Sequence, residues 1–285
     1  MPIRIYKPTS AGRRNASVNA HAEVTKFSPE RALLRKQNKS GGRNHSGKTT
    51  VRGMGGGAKR QYRVIDFKRI DRAGIKGQVS GIEYDPNRSS HIALIKYTDG
   101  VKRYIIAPRG LVDGATIEAS GTGPVDPDVG NCMRLRDIPT GLDVHCIELQ
   151  PGRGAQICRS AGVFCRLLNK EGDYATLQLP SGEIRKVGIN CRATIGQTGN
   201  PDHQQRKLGK AGLMRHMGRR PITRGVAKSH NAHPLGGGSG RSKGNRPPEG
   251  PTGVPSKGGD TRNPQKHSTQ LIIRRRVSKR YGQKK

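Results

Sequence analysis

The chain contains no tryptophan, three phenylalanines and seven tyrosines in 285 residues, and hydrophobic side chains make up only 31% of it. With so little to bury, its own packing cannot order every residue. Part of the chain must be extended and held by something else. Long apolar runs are missing as well. None approaches the roughly 20 residues that cross a bilayer, and the opening MPIRIYKPTSAGRRN carries no hydrophobic stretch of a secretory signal. Pro2, Pro8 and Gly12 break any amphipathic helix there, which argues against a transit peptide. Five cysteines (Cys132, Cys146, Cys158, Cys165 and Cys191) never form C-x-x-C, so zinc-ribbon spacing is absent. Odd in number, and set in apolar runs such as VHCIEL and VFCRLL, they read as buried, reduced thiols of a cytosol-like compartment. Acidic residues are also few: 20 against 54 Lys and Arg, a net charge of +34.

That charge is uneven. Residues 1–60 hold 14 basic and 2 acidic residues, and residues 201–285 hold 21 and 3, whereas residues 61–200 hold 19 and 15. Thirty of the 34 net charges therefore sit on two flanks around a nearly neutral centre. Like-charged, glycine-rich flanks repel themselves, and a polyanion both neutralises them and releases its counterions. Nucleic acid is the partner this distribution selects. Neither a membrane nor a small-molecule substrate is called for.

The centre reads as short strands broken by turn signals. YRVIDFKR (62–69) alternates with period two, and IKGQVSGIEYD (75–85), HIALIKYTDG (91–100), KRYIIA (102–107) and ATIEAS (115–120) follow. DPNRS (85–89) and DG (99–100) mark hairpins. After GTGPVDPDVG (121–130), which reads as a linker, come DVHCIELQ (143–150), AQICRSA (155–161), GVFCRLLNK (162–170), YATLQLP (174–180) and EIRKVGIN (183–190), with PSGE (180–183) as another turn. Such spacing predicts a mainly β protein with two small five-stranded barrels, which leave no open edge. The boundaries are a basic extension over 1–60, barrels over 61–125 and 126–200, and a basic extension over 201–285. Helix is expected only around Gln204–Met217.

Residues 42–49, GRNHSGKT, match G-x-x-x-x-G-K-[ST], the phosphate-cradling loop of nucleotide hydrolases, which would place Lys48 on phosphates and Thr49 on magnesium. That mechanism needs a buried strand before the loop and a helix after it. Here the upstream segment is RKQNKSG, and Gly53, Gly55, Gly56 and Gly57 prevent a helix downstream. The loop reads instead as a basic, glycine-rich segment that touches phosphates.

Read with its neighbours, the same loop resembles a known family. SGGRNHSGKTTVRGMGGGAKRQYRVIDFKR (40–69), YKPTSAGRRN (6–15), IEYDPNRSSHIALIKYTDGVKRYIIAPRGL (82–111) and VHCIELQPGRGAQICRSAG (144–162) are similar to the bacterial-type large-subunit ribosomal protein L-two family. LPSGEIRKV (179–187), CRATIGQTGN (191–200), GKAGLMRHMGRRPITRGVA (209–227), HPLGGGSGR (233–241) and STQLIIRRR (268–276) continue the likeness in family order. The resemblance implies an oligonucleotide-binding (OB) barrel followed by an SH3-like barrel, with tails threaded through ribosomal RNA. It also implies binding of large-subunit RNA near the peptidyl transferase centre, contact with other ribosomal proteins and the small subunit, and support of subunit association and the transfer-RNA sites. No enzymatic activity and no cofactor of its own follow, with magnesium expected only through the RNA. The ribosome of a cytoplasm, or of an organelle stroma or matrix, is the implied location.

Candidate RNA contacts are basic residues on turns and glycine-rich arms, where backbone and guanidinium can approach phosphates. The first arm offers Arg43, Arg52, Lys59, Arg60 and Arg63, followed by Lys68 and Arg69. Arg88 lies on the DPNRS turn and Arg159 in ICRSAG, and both match arginines of the family's RNA-binding core. The second arm adds Arg219, Arg220, Arg224 and Arg241. His233, with Gly236, Gly237 and Gly238, matches the family's tip near the reaction centre. The family's usual Asn-Pro-Val-Asp-His-Pro-His is here Ser229 to Leu235, with Ala232 in place of the acidic neighbour and Leu235 in place of the second histidine. A proton relay through that aspartate is unavailable, so the tip reads as a tight turn packed on RNA. Tyr84, Tyr97 and Tyr104 lie in strands and read as core rather than base-stacking groups. Two other classes share some of these features: a nucleic-acid compaction protein, and a hydrolase built on Lys48.

Overall fold

The computed structural model describes residues 3–121, 123–239, 246–257 and 262–277. They fall into two compact units. One comprises Met1–Gln37, Lys59–Lys210 and Gln270–Lys285; the other comprises Asn38–Ala58 and Ala211–Thr269.

The first unit is almost entirely antiparallel β. β1 (Ile3–Ile5) pairs with β2 (Ser17–Asn19), and β3 (Leu34–Lys36) with β4 (Gln61–Arg63). β5 (Gly77–Glu83), β6 (Ile92–Tyr97), β7 (Lys102–Ile106) and β8 (Thr116–Ile117) form a sheet in the order β7-β6-β5-β8. β6 is buried on both faces, and its period of two divides it between two cores. Ala93, Ile95 and Tyr97 join Val79, Ile105 and Ile117, whereas Ile92 and Leu94 join Ile65, Tyr104 and Ile106. Phe67 and Cys146 pack against the second of these clusters.

The second sheet contains β9 (Cys132–Arg134), β10 (Asp143–His145), β11 (Cys165–Glu171), β12 (Tyr174–Gln178), β13 (Ile184–Gly188) and β14 (Arg192–Ile195). It surrounds a core that includes Met133, Leu135, Val144, Leu167, Leu177 and Ala193. Two expectations change here. AQICRSA forms no strand of its own beyond a single bridge between Ile147 and Ile157. The sheet has seven strands rather than five, because β9 and β14 join it and β15 (Ile272–Arg274), from the basic C-terminal extension, pairs with β13. The three apolar residues Leu271, Ile272 and Ile273 of STQLIIRRR lie in or beside this edge strand.

Hydrogen bonds join the two barrels. Arg109 N–H donates to Gln197 O at 2.7 Å and Gly199 N–H to Ala107 O at 2.9 Å. Bridges link Ala119 with Cys132 and Pro108 with Thr198.

In the second unit the glycine tract meets the C-terminal segment. Gly55 N–H donates to Gly218 O, Ala58 N–H to His216 O and Arg220 N–H to Gly53 O, all at 2.8–2.9 Å. A Cβ on Gly57, whose φ is +83°, would lie 2.8 Å from Gly218 N, so this close backbone approach requires glycine. α1 (Ala211–His216) is the one α-helix among the described residues and is shorter than the stretch over Gln204–Met217 suggested. A 3-10 turn over Pro201–Gln205 precedes it.

Candidate nucleic-acid interface

A cluster of arginines lies where the two barrels meet. Asp85, fully buried, organises the DPNRS turn: its Oδ1 accepts from Asn87 N–H at 2.9 Å, and its Oδ2 accepts from Arg88 Nε at 2.7 Å. Arg63 Nη1 stands 3.7 Å from the same carboxylate. Ser89 Oγ accepts from Ala161 N–H and Ser90 Oγ donates to Arg159 O, so the turn carrying Arg88 is stitched to the segment carrying Arg159. Both guanidinium groups lie over the ring of Phe67, Arg159 at 5.0 Å from the centroid and Arg88 at 5.8 Å. Both lie within the range of a cation–π interaction.

Next to this site, Glu148 acts as a buried anchor. Its carboxylate accepts from the amides of Gly152, Gly154 and Arg192 and thereby shapes a loop that exposes Arg153. Sequence reading passed over Arg153, although glycine on either side of an arginine was the available signal.

Lys68 is exposed on the same stretch, but Arg69 is not part of this surface. It is 5% exposed, its Nη1 donates to Gly130 O at 2.7 Å, and its Nη2 reaches Glu118 O. Its guanidinium fastens one barrel to the other. The local cause is Asp66, whose Oδ1 accepts from the amides of Lys68 and Arg69 and turns the chain so that Arg69 (φ +50°) points inward.

The loop of Arg43 and Lys48 closes on itself. Asn44 Oδ1 accepts from the amides of Ser46 and Lys48, Gly47 N–H donates to Asn44 O, and Arg43 bridges Thr49. The amides of Asn44, Ser46, Gly47 and Lys48 are thus already paired within the loop, while the Arg43 and Lys48 side chains remain exposed. Arg52, Lys59, Arg219, Arg220 and Arg224 are exposed and Arg60 half-buried.

His233 is buried, with its ring against Gly225: a Cβ there would fall 2.3 Å from the imidazole. Its Nδ1 accepts from Leu235 N–H at 3.1 Å, and Gly237 N–H donates to Lys228 O. A Cβ on Gly236 would strike Ser229 O and Lys228 O, so that glycine is needed for the turn itself. Gly238 is exposed, and Arg241 lies outside the described residues. No described group of His, Cys, Asp and Glu could hold a metal ion, and no described helix is long and apolar enough to cross a membrane.

Two joined β-barrels, with arginines gathered on turns at their junction and cationic flanks around them, define a nucleic-acid-binding protein. The comparisons with known proteins narrow the class. Residues 30–119 match the family model "Ribosomal Proteins L2, RNA binding N-terminal domain", and residues 128–253 match "Ribosomal Proteins L2, C-terminal domain". The chain is 54% identical over 286 aligned residues to the Large ribosomal subunit protein uL2 of Rhodopirellula baltica, covering 100% of this chain and 99% of that one. The chain belongs to the ribosomal protein L2 family. Its architecture is an OB-fold barrel followed by an SH3-like barrel.

Proposed function

We propose that this protein is a structural constituent of the large ribosomal subunit that binds large-subunit ribosomal RNA through the barrel junction and the basic flanks. The end-to-end match to a large-subunit uL2 protein carries this reading. The arginine cluster at Asp85 and Phe67 is its physical complement, because an exposed Arg159 beside a half-buried Arg88 on a pre-ordered scaffold suits phosphate and folded RNA. Other ribosomal proteins are its protein partners. The finer placement near the peptidyl transferase centre, with support of subunit association and transfer-RNA sites, rests on the family likeness. So does a location in the ribosome of a cytoplasm or an organelle.

The role is structural rather than catalytic. His233 is enclosed by its own turn, with Ala232 where an orienting carboxylate would stand. Magnesium enters only with the RNA.

A competition titration tests the proposal. Labelled large-subunit RNA is bound by the purified chain at rising salt, with excess duplex DNA and unrelated RNA present. The flanks alone would release every polyanion together, along a slope of about −0.9 per phosphate neutralised on duplex DNA. Survival of the large-subunit RNA complex at salt where the others are lost is the expected result. Simultaneous release of all three would overturn it.

A further inference from the structure

Phe67 is one of three phenylalanines in the chain, and it sits half-buried at the barrel junction although burial alone would suit an aliphatic residue. Its backbone is held from several sides. Asp66 N–H donates to Tyr104 O at 2.8 Å, the Asp66 carboxylate closes the turn over Lys68 and Arg69, and Phe67 O accepts from Ala155 N–H at 2.8 Å. The ring therefore has little freedom, and it stands between an arginine of the first barrel and an arginine of the second.

The geometry points to Phe67 as a positioning residue: its ring holds Arg88 and Arg159 together, so that one stretch of RNA backbone engages both barrels at once. With each cation within 6 Å of the same centroid, the two charges are no more than about 11 Å apart. Asp85 neutralises Arg88, whereas Arg159 has no carboxylate partner among the described residues and is steadied by the ring. The electron-rich ring attracts both without consuming their N–H donors. Arg88 gives Nε to Asp85, and its Nη groups have no hydrogen-bond partner among the described residues. Arg159 is exposed and makes only a long 3.4 Å contact from Nη1 to Ala155 O. Both guanidinium groups thus keep unspent Nη donors, and the Ser89 and Ser90 bonds keep the two turns in register. An aliphatic side chain would fill the same space and supply none of this.

This inference rests on the proposed RNA-binding role, and the experiment separates the two. Arg88→Gln, Arg159→Gln and the double variant are titrated with large-subunit RNA in the native, Phe67→Leu and Phe67→Tyr backgrounds, with melting temperatures recorded for each. In the native background the two arginine substitutions should be coupled, the double variant losing several-fold less affinity than the product of the single losses. Phe67→Leu should weaken binding about five- to tenfold, abolish the coupling and leave the melting temperature within a few degrees. Phe67→Tyr, which keeps the ring, should retain both affinity and coupling. Independent effects of the two arginines in the native background would overturn the inference even if Phe67→Leu did not fold. So would a folded Phe67→Leu variant whose affinity and coupling are unchanged. Failure of the unsubstituted chain to prefer large-subunit RNA would instead strike the proposed function.

Discussion

His145 shows what burial does to a single titratable side chain in this protein. It is fully buried in the second barrel, its Nδ1–H donates to Gly196 O at 2.9 Å, and its Nε2 has no hydrogen-bond partner among the described residues. Burial, the largest cause, pushes its pKa down from 6.5 to about 4. A histidine with a lowered folded pKa contributes stability above pH 6.5 and loses it as pH falls towards that folded value. The expected cost is about 1.4 kcal/mol per pH unit in this window, or about 2 kcal/mol at pH 5. Urea unfolding at pH 7.5 and pH 5 measures it. His145→Asn, which keeps a donor near Nδ1 but does not titrate, should flatten the profile. Some slope will remain, because burial also lowers His21 and His203. Cys191 behaves in the opposite sense, since burial raises its thiol to about 11. At pH 8 its alkylation in the folded protein should be about 100-fold slower than in the denatured chain. A rate ratio near one, followed by peptide mass spectrometry, would refute that.

At the scale of elements, glycine makes a backbone-to-backbone joint rather than a free arm. Gly56 and Gly57 both have positive φ (+65° and +83°), but a Cβ on Gly56 meets nothing within 4 Å, whereas one on Gly57 strikes the backbone of Gly218. Gly56→Ala should therefore cost only the conformational penalty of about 1 kcal/mol. Gly57→Ala adds overpacking and should cost about 2 kcal/mol or more locally. Hydrogen exchange at the amides of Gly55 and Ala58, which bond to Gly218 and His216, reads the difference. Equal protection in the two variants would show that the joint is loose. The barrel turns contrast with this joint, because Asp85, Asp66 and Glu148 hold their loops through side-chain carboxylates.

For the whole molecule, the concentration of charge in the flanks predicts a division of labour between affinity and selectivity. Exposed cations such as Lys48 and Arg52 should act as phosphate neutralisers. Replacing either with Gln is expected to weaken binding to all polyanions alike and to reduce the salt slope by about one. Arg88→Gln or Arg159→Gln should instead erode the preference for large-subunit RNA, since these side chains are tied to an ordered junction. Titrations of each variant against cognate and unrelated RNA distinguish the two patterns. A uniform loss in all four variants would mean that the junction reads nothing specific.

The sequence by itself determined that this is a small-barrel β protein with cationic flanks, because period-two alternation in YRVIDFKR, turn pairs such as DPNRS and DG, and the +34 charge are local or additive properties. The hairpins joining β5 to β6, β6 to β7 and β12 to β13 were legible for the same reason. The resemblance brought Arg88 and Arg159 forward together. Only the tertiary structure decided which cations face outward. Arg69 and Lys68 are neighbours of one charge sign, and the Asp66 turn with the Gly130 carbonyl buries one and exposes the other. Tertiary structure also brought β15 back onto β13 across more than 80 residues and set Gly57 against Gly218. It placed Phe67 under arginines from both barrels. Each of these is a long-range contact whose energy depends on surfaces brought together by the rest of the fold, and a linear pattern carries no trace of it.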